Sequence, residues 1–280
     1  ATAARNYKYP YYDQLMIYLQ RPEATACAEY DFWFDTMHRY VKRGAKGIAL
    51  VDNEGDSPRL RYVFDVADTG SRSNSRPVWL WQMKEEYQNP VMAALERAYG
   101  VSGENLSLEA QLEQVAGRLA ADYWMDYGRQ ISGIVADSFL EEYDEFNIGI
   151  AFRKAAQASI VYTLSVRCAE DTENQFEPED FRDVSDFNTR QTAAALGTAV
   201  SSLSGEVFRE IERAIRDYER TKAQERSQNY EERNNIQAGR GLSSSGDQAE
   251  RDDRETSGQI RKDAQGISEG EQSDTVQRSG

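Results

Sequence analysis

Three observations predict an α+β protein: a short apolar hairpin pattern near the N-terminus, helical periodicity through most of the chain after Pro90, and a final stretch almost empty of apolar residues. Together they divide the chain into a small N-terminal helix-plus-antiparallel-hairpin domain over 1–88, a mainly α-helical domain over 89–221, and a disordered tail or linker over 222–280.

The first helix is expected around Tyr12, Leu15, Met16, Tyr18 and Leu19, with Pro22 ending it. A second short helix is expected from Ala24 to Met37, presenting Tyr30, Trp33, Phe34 and Met37 on one side. The period then changes. Gly44 and Gly47 flank Lys46, Ile48, Leu50 and Val51 read as a strand, and Asn53 to Pro58 is turn chemistry. Leu60, Tyr62, Phe64 and Val66 alternate with Arg61, Val63 and Asp65, close to the period of a half-buried strand, which predicts a β-hairpin over about 46–66. Helical spacing returns in Leu108, Leu112, Val115, Leu119, Tyr123 and Trp124, with Ser107 as N-cap, and continues through Ile131, Ile134, Val135, Phe139 and Tyr143. Phe152 to Cys168 and Leu196 to Tyr218 predict two further buried helices. Beyond Thr221 the composition is too polar to offset the entropy of ordering.

The formal charge of −15 argues against an indiscriminate nucleic-acid coat, but it is unevenly spread. Residues 1–90 carry 12 Lys+Arg against 12 Asp+Glu, a net of zero; residues 91–204 carry 8 against 19, a net of −11. Basic groups able to meet phosphate are therefore local to the N-terminal part. Cys27 and Cys168 are too few for a disulfide framework or a thiolate zinc site. No apolar run is long enough for a bilayer, and the expected location is cytoplasmic. A start at Ala1 and a polar end lead to the expectation of a piece of a longer polypeptide.

Catalytic patterns are missing. One histidine, His38, rules out a His-Glu-x-x-His helix or any two-histidine site, and there is no phosphate loop of the Walker or Gly-x-Gly-x-x-Gly type. Gly266-Ile-Ser-Glu-Gly270 lacks the strand and helix that a nucleophile elbow needs. The acidic run Glu141–Glu145 has no calcium-loop spacing and reads as a solvated helix end, and the pairs Trp79/Trp81 and Tyr123/Trp124 read as packing residues. No enzyme activity, cofactor or metal is expected of this chain. The functional signal is the N-terminal block. Arg39, Lys42, Arg43 and Lys46 are four cations around Tyr40 and a glycine-punctuated turn, with Tyr18 and Trp33 as further rings. Cations that hold phosphates beside rings that stack on bases suit single-stranded nucleic acid.

Residues 11–70 resemble the N-terminal single-stranded-DNA-binding domain of ArdC-type antirestriction proteins. The resemblance is carried by Asp13-Gln-Leu-Met-Ile-Tyr-Leu-Gln-Arg-Pro22, Phe32-Trp33, Arg39-Tyr-Val-Lys-Arg-Gly-Ala-Lys-Gly-Ile48 and Val63-Phe-Asp-Val-Ala-Asp-Thr69. A longer run to about Tyr218 resembles the start of large helicase- and methylase-like proteins of bacterial conjugative elements, with Phe139–Asn147 and Ala195–Ser201 belonging to that similarity. The resemblance implies a noncatalytic single-stranded-DNA-binding module of a mobile-element protein, and it adds Gln20 and Arg21 to the DNA-binding set. It also implies that the helical domain is a degenerate metallopeptidase-like domain, since the zinc-binding histidine pair of ArdC-type proteins is missing here. The alternative is an acidic protein-interaction or DNA-mimic module, in which the −11 region docks on conjugation or restriction proteins.

Overall fold

The computed structural model describes the backbone of residues 1–53, 57–168 and 176–242, and side-chain surroundings as far as 231. Two short segments precede the sheet: α1 (Thr2–Arg5) and α2 (Tyr11–Gln20). Pro10 holds the extended conformation before α2, and Arg21, pushed out of helical geometry ahead of Pro22, ends it. Ile17 is its fully buried anchor, whereas Tyr12, Tyr18 and Leu19 face outward.

A three-stranded antiparallel sheet follows, ordered β1 (Cys27–Glu29), β4 (Arg59–Asp65), β3 (Ile48–Asp52). The expected hairpin is present, with Ile48 opposite Val63 and Asp52 opposite Arg59. The expected helix over 24–37 is not. Its first half is β1, because the Asp65 carboxylate accepts the N–H groups of Thr25 and Ala26 at 2.7 and 2.8 Å and draws that segment alongside β4. Only a π-helical turn, Phe32–Thr36, remains of the second half. It closes at His38, whose left-handed backbone (φ 54°) is a helix-ending conformation.

The buried face of β4 is not its more apolar one. Val63 and Asp65 point inward with Ile17, Ile48 and Leu50, while Leu60 and Tyr62 are exposed. The polar residues go inside because they are partnered there. Asp65 accepts three backbone N–H groups, and Arg61 pairs with Asp13 and with Glu29. A second small sheet pairs β2 (Tyr40–Val41) with β5 (Thr69–Gly70).

Four long helices make up the rest: α3 (Glu85–Tyr99), α4 (Leu108–Ser132), α5 (Glu145–Cys168) and α6 (Arg190–Leu242). Ser107 caps α4 by accepting the Ala110 N–H, and Gly100 ends α3 in the left-handed region. The helix expected to continue from Ile131 to Tyr143 breaks at Ser132 into turns, leaving Phe139 and Tyr143 exposed. Asp144 then caps α5 by accepting the Asn147 N–H at 2.8 Å, so the acidic run, expected as a solvated helix end, leads into the start of a helix. A Cβ on Gly149 would lie 2.7 Å from the Trp124 ring, so only glycine lets α5 approach α4 there. Residues 222–242, expected in the tail, instead continue α6, because Ala, Gln, Glu and Arg extend a helix by intrinsic propensity without any core. Residues 243–280, on which the rest of the tail expectation falls, lie outside the described residues.

Ala1–Lys222 form the first of two units. The first is unified by its N-terminal segment: Ala4, Tyr7 and Trp81 share one apolar cluster with Leu95, Leu112, Ile160 and Phe208. Glu212 of α6 locks that segment polarly. It accepts the Tyr7 hydroxyl, Lys8 at 3.1 Å and Arg216 at 2.8 Å. Burial pushes the Glu212 carboxyl up, but these three donors outweigh it and hold the group below its ordinary value of 4.5. A depressed folded-state value stabilises above about pH 4.5 and is lost as pH falls through the lower value. The melting temperature of the protein is therefore expected to fall on acidification below that point, and Glu212→Gln should flatten this acid limb in calorimetric scans from pH 6 to 3.

Candidate nucleic-acid interface

The sequence-selected residues separate into two groups in the fold. Arg21, Arg39 and Lys42 converge on a single 3₁₀ turn, Val66–Asp68, between β4 and β5. Arg21 pairs with Asp68, whose hydrogen bond raises the guanidinium pKa further. Arg39 donates Nε to Thr69 Oγ1 at 2.8 Å, and Lys42 donates Nζ to the Ala67 carbonyl at 2.8 Å. Arg21 and Arg39 therefore hold α2 and β2 against the turn, while Lys42 adds one solvent-exposed hydrogen bond. Of the three, Lys42 is exposed.

Gln20 is occupied in the same way. Its amide donates to the Ala49 carbonyl at 2.8 Å and accepts the Ala49 N–H at 2.9 Å, covering the open edge of β3 as a paired strand would. Trp33 is 2% exposed, and its indole N–H donates to the Phe64 carbonyl at 2.9 Å. A ring buried on both faces has none to offer a base, so Trp33 belongs to the scaffold and not to a stacking surface.

The remaining candidates face outward. Arg43 and Lys46 are exposed on the turn leading from β2 to β3, and neither has an ion-pair partner among the described residues. Gly44 occupies the left-handed region there (φ 84°), with open space where a Cβ would stand. Tyr40 is 43% exposed, and Tyr18 is 55% exposed on α2. Tyr40 sits tightly over β5, since a Cβ on Gly70 would lie 2.3 Å from its ring.

Sequence reasoning missed the Arg72 neighbour of Tyr40 and the two rings beyond it. The Arg72 guanidinium stands 5.8 Å from the Tyr40 ring centre and 5.0 Å from that of Phe34. Phe34 in turn stacks on Tyr30, with centres 5.9 Å apart and planes within 10°. All three rings are exposed. The i, i+4 spacing of Tyr30 and Phe34 was visible in the chain, but nothing local marked Arg72 as their neighbour. The result is an exposed layer of rings and one guanidinium next to a strand that leads into the unpaired cations Arg43 and Lys46.

No protein-family model, curated protein or solved structure matches this chain. Neither cysteine is a reactive thiol: burial, foremost, pushes both Cys27 and Cys168 up to about 12. Among the described residues no group of three His, Cys, Asp or Glu side chains is placed to hold a metal ion, and no helix is long and apolar enough to cross a membrane.

Proposed function

We propose that this chain is a noncatalytic single-stranded-DNA-binding module of a mobile-element protein. The observation that carries the reading is the exposed Tyr30–Phe34–Arg72–Tyr40 layer followed along the chain by the unpaired Arg43 and Lys46. Rings and a guanidinium plane stack on bases of any sequence, while flexible cations follow the phosphates. The pairing of Tyr40 with Gly70 fixes one ring in place, so less entropy is lost on binding than a free side chain would lose. Zero net charge over residues 1–90 leaves this end of an acidic protein without net repulsion toward a polyanion. The resemblance of residues 11–70 to ArdC-type domains supports DNA as the strand and a mobile element as the setting.

Lys42, Arg43 and Lys46 hold phosphates in this reading, and Tyr40, Phe34, Tyr18 and the Arg72 plane take bases. Arg21, Arg39, Gln20 and Trp33 hold the framework. Fluorescence anisotropy with labelled oligonucleotides at low salt tests it. Single-stranded DNA of mixed sequence is expected to bind more tightly than duplex of the same length. Changing Lys42, Arg43 and Lys46 together to Glu should abolish that binding while leaving the melting temperature within a few degrees. Duplex preference, or full binding by the triple variant, would sink the proposal.

A further inference from the structure

A second cationic feature shares no cation with that surface. A pocket of about 510 Å³ opens where the N-terminal segment, β1, the π-helical turn, residues 76–81 and helices α5 and α6 meet. That size is within the usual range of small-molecule sites. Its lining contains five cations, Arg5, Lys8, Arg76, Arg167 and Arg216, against one acid, Glu212. Lys8 and Arg216 are taken up by Glu212. Arg5, Arg76 and Arg167 have no carboxylate within ion-pair distance among the described residues.

Arg167 is the telling member. It is half-buried, donates to the Ala4 and Trp81 carbonyls at 3.2 and 2.7 Å, and lies flat against Trp81 with 3.8 Å to the ring centre. Burial, first of all, lowers its pKa, and the nearby Arg5 charge adds to that lowering. A half-buried guanidinium near a second cation, hydrogen-bonded only to neutral oxygens and offset in part by the Glu212 charge, is an arrangement that an anion would relieve. The other walls are aromatic: Tyr9, Phe32 and Trp79, the last with Arg216 over its ring at 4.4 Å. Arg5, Leu80, Trp81 and Arg167 also form the partition with an adjoining cleft of about 790 Å³, so an elongated ligand has room on either side of them.

We infer that this pocket binds a nucleotide, its phosphate held by Arg5, Arg76 and Arg167 and its base laid against the tryptophan and arginine planes. Guanidinium groups grip phosphate bidentately, and flat rings and guanidinium planes both stack on bases. The same chemistry is presented by a free nucleotide and by the 5′-phosphorylated end of a strand. The pocket shares none of the cations of the strand-binding surface, so the two proposals fail separately.

Isothermal titration of the full chain with dAMP, with inorganic phosphate, and with a short thymidine oligonucleotide bearing a 5′-phosphate or a 5′-hydroxyl tests the inference. Saturable binding of dAMP at least tenfold tighter than of phosphate is expected if the ligand is a free nucleotide. A gain of at least tenfold from the 5′-phosphate on the oligonucleotide is expected if it is a strand end. The double variant Arg5→Gln, Arg76→Gln, altered at two exposed positions, should weaken either interaction at least tenfold, as should Arg167→Met where it folds. The triple Glu variant at 42, 43 and 46 should keep its dAMP affinity. The inference is overturned if dAMP binds no better than phosphate and the 5′-phosphate adds nothing, or if the double variant binds as the parent does.

Discussion

Trp33→Ala is expected to destabilise the protein by about 3–5 kcal/mol, the usual cost of emptying a fully buried aromatic site. The change also leaves the Phe64 carbonyl without its indole donor and removes the edge contact to Phe32. Trp33→Phe separates scaffold from ligand contact. It keeps most of the burial and loses the hydrogen bond, at about 1–3 kcal/mol. Denaturant titration should register that loss, while oligonucleotide affinity of the folded variant stays at the parent level. A stable Trp33→Phe protein with weakened DNA binding would return Trp33 to the stacking surface.

Phe208→Ala should cost a similar amount, about 3–5 kcal/mol. Phe208 is fully buried in α6, with ring centres 5.0 Å from Tyr7 and 5.9 Å from Trp81, so it joins the N-terminal segment to the helices. For a unit of this size the loss corresponds to a melting temperature lower by roughly 6–20 °C. Because the N-terminal segment shares this core with the helices, the unit should still melt in one step when followed by near-ultraviolet and far-ultraviolet dichroism. Two separated transitions would show instead that the region to residue 88 folds by itself.

How much of this was legible in the chain depends on the range of the interaction that decided each residue. The helices α4 and α5 and the body of α6 follow apolar spacing and local caps such as Ser107, and the hairpin follows its turn chemistry and alternation. The hairpin's inward face could not be read that way. Leu60 and Tyr62 outrank Arg61 and Asp65 in hydrophobicity, yet the partners that draw the polar pair inward, Asp13 and the amides of Thr25 and Ala26, lie far off in sequence. The same holds at the candidate site. Trp33 and Tyr40 look alike beside their cations, but the Phe64 carbonyl claims one ring while Gly70 and Arg72 flank the other at the surface. Gln20 and Arg21 sit in a phrase that resembles a DNA-binding domain, and Ala49 and Asp68 take up their polar groups.

The salt dependence of single-stranded-DNA affinity tests the central claim most directly. Each phosphate contact on a single strand contributes about 0.7 to the slope of log affinity against log salt. For the parent protein the slope should be clearly negative. For Arg43→Gln, Lys46→Gln it should be shallower by about 1.4, two contacts' worth, with unchanged melting. An identical slope in parent and variant, or no measurable affinity at low salt, would contradict the assignment of this turn to the phosphate backbone.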